Sequence, residues 1–236
     1  MNLFTRYAAA AIAVLSVACA CSRQELDLPI AVNVTMTGSI SGDTFTDDQG
    51  LAYRITGMPE GVSLTDMDRA LVTVNVIGKI SDKEYSAYLL SLYKPLCKKV
   101  AMLSAATDEM LGEDPVLIDA GWISGGYVNL SITFSRFRGS ETAHQIELVM
   151  DDSATDDGTL HLTLHHNGFG EGFADEGNRS SFTDVAGFVC FDVSGLLPDG
   201  TDSMPVSITA PWYETVGDDI RTGNVIEIVT KGRLSR

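Results

Sequence analysis

Leu28-Pro29-Ile30-Ala31-Val32-Asn33-Val34-Thr35-Met36-Thr37 alternates along its length, with Leu28, Ile30, Val32, Val34 and Met36 on one side and Ala31, Asn33, Thr35 and Thr37 on the other. A period of two is the mark of a strand with one buried face. The pattern recurs downstream. Thr44 to Thr46 and Leu51 to Ile55 flank Asp47-Asp48-Gln49-Gly50, where Asp and Gly admit the positive backbone angles of a hairpin. Leu71 to Ile80 is β-branched and nearly continuous, and Tyr85 to Tyr93 carries apolar or aromatic residues on both faces. Five short strands without a helical period predict a small OB-like barrel over residues 28–103.

Residues 104–115 lose the alternation and become small, acidic and turn-rich, which predicts a linker. Beyond it, strands are expected at Val116 to Ala120, Tyr127 to Phe137, His144 to Met150, Thr159 to His166, Gly187 to Val193, Val206 to Thr209 and Val225 to Thr230. Seven strands separated by Gly, Asp, Asn and Pro clusters predict an immunoglobulin-like β-sandwich over residues 116–236, so the whole chain reads as all-β.

Composition narrows the function. The 236 residues are 44% hydrophobic, enough for a core, and 16 Lys and Arg face 32 Asp and Glu. A net charge of -16 argues against nucleic acid and anionic head groups as partners. The imbalance is local: residues 22–105 hold 8 basic and 10 acidic residues, whereas residues 106–236 hold 7 and 22. A field of that sign favours a cationic protein or peptide partner.

The N-terminus reads as an address. Arg6 precedes an apolar run from Tyr7 to Ala18 that is shorter than the ~20 residues a membrane-spanning helix needs, and Cys19-Ala20-Cys21 follows. Small residues before a cysteine, with polar Ser22-Arg23-Gln24-Glu25 after it, resemble a bacterial lipoprotein box. Residues 1–20 are then a signal peptide and 21–27 a tether, lipidated at Cys21, with Cys19 as the alternative. Attachment to the membrane is through acyl chains, and the expected location is the outer membrane, exposed at the surface.

Three stretches resemble one family: Trp122-Ile123-Ser124-Gly125-Gly126-Tyr127-Val128-Asn129-Leu130, then Leu160 to Asn167 with its Leu-His-Leu-Thr-Leu-His-His core, then Phe191-Asp192-Val193-Ser194. They are similar to the C-terminal β-sandwich of NigD-like lipoproteins, which carry an OB-type domain in front. The resemblance implies two β domains, an envelope location and a link to bacteriocin self-protection. It implies no catalytic residues.

Gly125-Gly126 permits a sharp bend with Trp122 and Tyr127 packed on either side, and the two rings also offer a ligand platform. His161 and His165 share a strand face but lie about 13 Å apart at ~3.3 Å per residue, too far to chelate one ion. His166 falls on the side of Leu160, Leu162 and Leu164 and is expected to be a hydrogen-bonded core histidine. Gly168-Phe169-Gly170-Glu171-Gly172 lacks the lysine and helix of a phosphate loop and reads as a hairpin loop. Asp151, Asp152, Asp156, Asp157, Glu171, Asp175 and Glu176 form candidate docking loops for the cationic partner. Ser153 and Ser203 fit short O-glycosylation acceptors. Cys97 and Cys190 are expected to be unpaired thiols. No Gly-x-Ser-x-Gly elbow occurs.

These readings converge on a monomeric, non-catalytic envelope lipoprotein that binds a protein or peptide, with no metal and no cofactor. The immunity role is the first expectation. An accessory or assembly subunit of a surface organelle or glycan-uptake complex is the alternative, and an envelope hydrolase ranks third.

Overall fold

A computed structural model describes residues 28–151, 158–171, 179–196, 204–216 and 219–232. Cys19, Cys21, Asp152, Ser153, Asp156, Asp157, Asp175, Glu176 and Ser203 lie outside them. The described chain is all-β, interrupted only by two single 3-10 turns at Leu103–Ala105 and Arg179–Ser181.

The first five strands, β1 (Ala31–Ser41), β2 (Thr44–Asp47), β3 (Ala52–Gly57), β4 (Met67–Ser81) and β5 (Glu84–Tyr93), close into a barrel in the order β1-β2-β3-β5-β4. Neighbours are antiparallel except β3 and β5, which run parallel. This is the OB order. Ile40, Phe45, Tyr53, Ile55, Val72, Val74, Ala87 and Leu89 fill the interior, as alternation demands. Closure requires Gly38: a Cβ there would lie 2.0 Å from the Thr46 carbonyl oxygen and 2.8 Å from the Asp47 Cα. The β2–β3 turn is held by Asp47 Oδ1, which accepts the amides of Gln49 (2.9 Å) and Leu51 (2.8 Å).

The opening of β1 departs from the expected half-buried strand. Leu28, Ile30 and Val32 are 78%, 62% and 59% exposed. Asn33 sits at φ 53° and the register against β4 slips between Ala31 and Val34. The strand therefore meets the barrel interior only from Val34 onward, and its first residues overhang the end.

The second unit packs two sheets. One has the order β14-β13-β11-β10-β7, from β14 (Asp219–Gly232), β13 (Met204–Val216), β11 (Leu160–Asn167), β10 (Gln145–Met150) and β7 (Ala101–Met102). The other has the order β6-β12-β9-β8, from β6 (Leu96–Lys99), β12 (Phe182–Asp192), β9 (Tyr127–Phe137) and β8 (Leu117–Ser124). Val128, Leu130, Ile132, Val189 and Phe191 from one face meet Ile146, Leu148, Leu160, Leu162, Leu164, Val206 and Ile208 from the other. All seven expected strands are present. Three parallel pairs, β6 with β12, β7 with β10 and β11 with β13, distinguish the sandwich from a purely antiparallel immunoglobulin sheet pair.

Strand pairing also moves the crossover between the units. Sequence reading kept residues up to 103 with the barrel and placed the linker at 104–115, yet β6 and β7 pair only within the sandwich. The chain passes over at Lys94-Pro95. Strands of four and two residues are too short to show a period, whereas Ser104 to Pro115 stands out by composition and pairs only through a single bridge from Glu113 to His166. Lys98 on β6 braces the sandwich edge: its Nζ donates to Glu147 Oε1 (2.5 Å) and the Ile146 carbonyl (3.0 Å) on the opposite sheet.

Candidate functional site

The most concentrated chemistry lies where the barrel meets the outer face of the β6-β12-β9-β8 sheet. Trp122 on β8, Asn129 on β9, Cys190 on β12 and Cys97 on β6 are direct neighbours in register, forming one row across all four strands. Val189 and Phe191 point into the sandwich core, so alternation turns Phe188 and Cys190 outward, where the barrel covers them.

Arg69 on β4 reaches onto this row. It lies on the outer surface of the barrel, yet is only 5% exposed. Its guanidinium grips both oxygens of Asp48, with Nη2 at 3.0 Å from Oδ2, and Nη2 also donates to Asn129 Oδ1 at 2.6 Å. Asp48 Oδ2 accepts two hydroxyls besides, from Thr37 and Ser124, each at 2.5 Å. The Asn129 amide is fixed by donating to the Tyr127 carbonyl (3.2 Å), the Trp122 carbonyl (3.3 Å) and Ser124 Oγ (3.1 Å), so its oxygen must face the cation. The Tyr127 ring lies 4.6 Å from the guanidinium carbon, a cation–π contact.

The Gly125-Gly126 bend is the turn that permits this contact. Its residues have φ 58° and 81°, giving a two-residue hairpin between β8 and β9. A Cβ on Gly125 would lie 2.4 Å from Asp48 Oδ1 and 3.1 Å from Arg69 Nη1. The bend expected from sequence is present, but its neighbours are the ion pair of the other unit. Trp122 stacks on Phe188 at 5.3 Å, and Phe188 takes the edge of Tyr93 from the last residue of β5 at 6.5 Å. Trp122 thus packs on Phe188 of its own sheet and Tyr127 on Arg69 of the barrel, and both rings stay half-buried at the joint.

Electrostatics agree with a closed joint. Burial pushes the Asp48 carboxyl up, but hydrogen bonds from Arg69, Ser124 and Thr37 outweigh it and hold the group below its usual range. Burial pushes the Tyr127 hydroxyl up, and Asp192 adds to that. Both Asp48 oxygens are engaged, Oδ1 by Arg69 and Oδ2 by Arg69, Thr37 and Ser124.

A second polar cluster stands at the far end of β9. The carbonyl of Pro115 lies 3.1 Å from His166 Nδ1, which must therefore donate to it. Nε2 of His166 then accepts from His144 Nδ1 at 2.9 Å, and His144 Nε2 faces Glu171 Oε2 at 3.5 Å. Phe134 packs on both imidazoles. His166 is fully buried and hydrogen-bonded, as the alternation of β11 implied, and burial lowers its pKa. Glu171 is a correction: it was expected among surface acids, yet it is 8% exposed and takes a hydrogen bond from Ser140 Oγ and another from the Phe137 amide at 3.3 Å. Hydrogen bonds from Ser140 and Thr142 hold its carboxyl at about 2. Asp151 is exposed.

Sequence reading missed Thr37, Asp48, Arg69, Asn129, Ser140 and His144. Among the described residues no group of three or more His, Cys, Asp or Glu is placed to hold a metal ion, and no helix is long and apolar enough to cross a membrane.

Comparison with known proteins places this geometry. Residues 99–212 match the NigD-like C-terminal beta sandwich domain. No curated protein matches the sequence. Among solved structures, a protein of unknown function from Bacteroides vulgatus ATCC 8482 is similar over 85% of this chain and 90% of its own, at 18% identity and a TM-score of 0.65. A NigD-like immunity protein from Bacteroides caccae ATCC 43185 is similar over 84% and 90%, at 18% identity and a TM-score of 0.55. A candidate lipoprotein from Bacteroides fragilis NCTC 9343 is similar over 86% and 99%, at 16% identity and a TM-score of 0.53. At such identities the likeness is one of fold, and none of these descriptions names a catalytic activity. The second unit thus carries the NigD-like C-terminal beta sandwich domain, and the fold of both units together is similar to that of these solved structures.

Proposed function

We propose that this protein is a non-catalytic, lipid-anchored envelope protein that binds a protein or peptide, in the immunity class named for its Bacteroides caccae neighbour. The observation that carries the reading is the joint. Its acid, cation, amide and hydroxyls are spent on one another, which locks two β units into one body and leaves no reaction centre there. A rigid body presents its loops without ordering cost, and that suits binding. The lipoprotein-like N-terminus supports an anchor at Cys21, and the acid-rich second unit supports a cationic partner.

Expression in a bacteriocin-sensitive strain is the test. Survival at toxin concentrations that kill the parent strain is expected, and unchanged killing removes the immunity reading. Mass spectrometry of the mature N-terminus checks the anchor separately: Cys21→Ser should abolish acylation and Cys19→Ser should leave it intact. Neutralising Asp151, Asp152, Asp156 and Asp157 together should slow association with the partner and weaken its salt dependence.

A further inference from the structure

We propose that Cys97 and Cys190 form a modification site, closing to an intrachain disulfide when the folded protein meets a disulfide oxidant. Both are thiols in the structure, Cys97 exposed and Cys190 buried. They are Cα partners on parallel strands, and in-register residues of neighbouring strands project from the same face of the sheet. Strand spacing of about 4.8 Å puts the two Cα atoms inside the range a disulfide spans, roughly 4.4 to 6.8 Å. A disulfide holds its Cβ atoms about 3.5 to 4.5 Å apart, closer than the strand spacing, so the two strands must draw together locally. The strand that moves is β6, a four-residue edge strand paired on one side only, so this shift is cheap.

Surroundings set the order of events. Cys97 is accessible, while burial pushes the Cys190 thiol up to about 12 although Arg69 opposes the shift. The Cys97 thiolate attacks a sulfur of the external disulfide, forming a mixed disulfide and expelling one thiolate. Cys190 then gives up its proton, its sulfur attacks that of Cys97, and a second thiolate leaves. Two protein thiols are oxidised, one external disulfide is reduced to two thiols, and the protons travel with them. The consequence reaches the joint. Cys190 Sγ now donates to Asn129 Oδ1 at 3.3 Å, the oxygen that also accepts from Arg69. Closing the bond withdraws that donor and leaves Arg69 sole claim on the amide oxygen.

The site is independent of the immunity reading. The test uses the full chain carrying Cys19→Ser and Cys21→Ser, so that only two thiols remain, incubated folded with oxidised glutathione. Titratable thiols should fall from two to none, with the loss of two hydrogen atoms and a peptide joining Cys97 to Cys190. Adding Cys190→Ser should stop the reaction at a glutathione adduct on Cys97. If the two-thiol protein itself stops at that adduct, or keeps both thiols, the proposal is overturned. Alkylation of cells making the unaltered chain reports location separately: a pair that closes in vitro but stays reduced in cells upholds the site and counts against an oxidising envelope.

Discussion

At Arg69 the balance of forces is easiest to state. A guanidinium held at 5% exposure is tolerable because Asp48 and Asn129 replace water at Nη1 and Nη2, while Nε is buried without a partner. Arg69→Met leaves a mostly buried carboxylate with two hydroxyls and no cation, and should destabilise the fold by about 3 to 5 kcal/mol in urea unfolding. Asp48→Leu combined with Arg69→Met removes both charges and should recover most of that loss; a double variant as weak as the single one would show that packing, not charge, is what Arg69 supplies. Gly125→Ala probes the same contact from the sandwich side. The left-handed backbone alone costs about 1 to 2 kcal/mol, as Gly42→Ala should show at φ 60° with no atom within 4 Å of the added carbon. Displacing Asp48 adds to it, so Gly125→Ala should lose roughly 3 kcal/mol or more.

At the scale of strands, the far end of β9 supplies an acid-sensitive latch. Glu171 binds the loop after β9 through Ser140 Oγ and the Phe137 amide. Its carboxyl lies below its ordinary 4.5, at about 2, so its contribution is full above pH 4.5 and disappears as pH falls toward 2. Glu171→Gln should flatten the loss of stability across that window, with urea midpoints as the measurement; an unchanged acid limb would assign it to other carboxylates. Strands themselves were legible because the signal is carried by consecutive residues. Leu160, Leu162, Leu164 and His166 are buried together on the side where alternation placed them. Where a strand overhangs its barrel, as at Leu28 to Val32, or spans only two to four residues, as in β6 and β7, local pattern cannot report pairing that another segment decides.

For the molecule as a whole, a polar joint between two folded units predicts coupled unfolding. Calorimetry should give one transition for the unaltered protein and two for Arg69→Met, because each unit keeps its own core when the ion pair is lost. The joint was hidden from sequence reading for a physical reason. Its hydrogen bonds between the units link residues 60 to 87 positions apart, and each member has an ordinary local explanation: Asp48 as a turn acid, Arg69 as an outward strand cation, Ser124 as a hairpin shoulder. Only the Gly125-Gly126 bend and its two aromatic neighbours announced that something is packed closely there. That interdependence has an evolutionary side. Losing one member strands the others, so a drifting lineage passes through a destabilised intermediate unless two positions change together. An exposed pair such as Lys79 and Asp82 carries no such penalty, and its members are free to drift singly. Across relatives, positions 48, 69, 124 and 129 should therefore covary as a block, while positions 79 and 82 vary independently of each other.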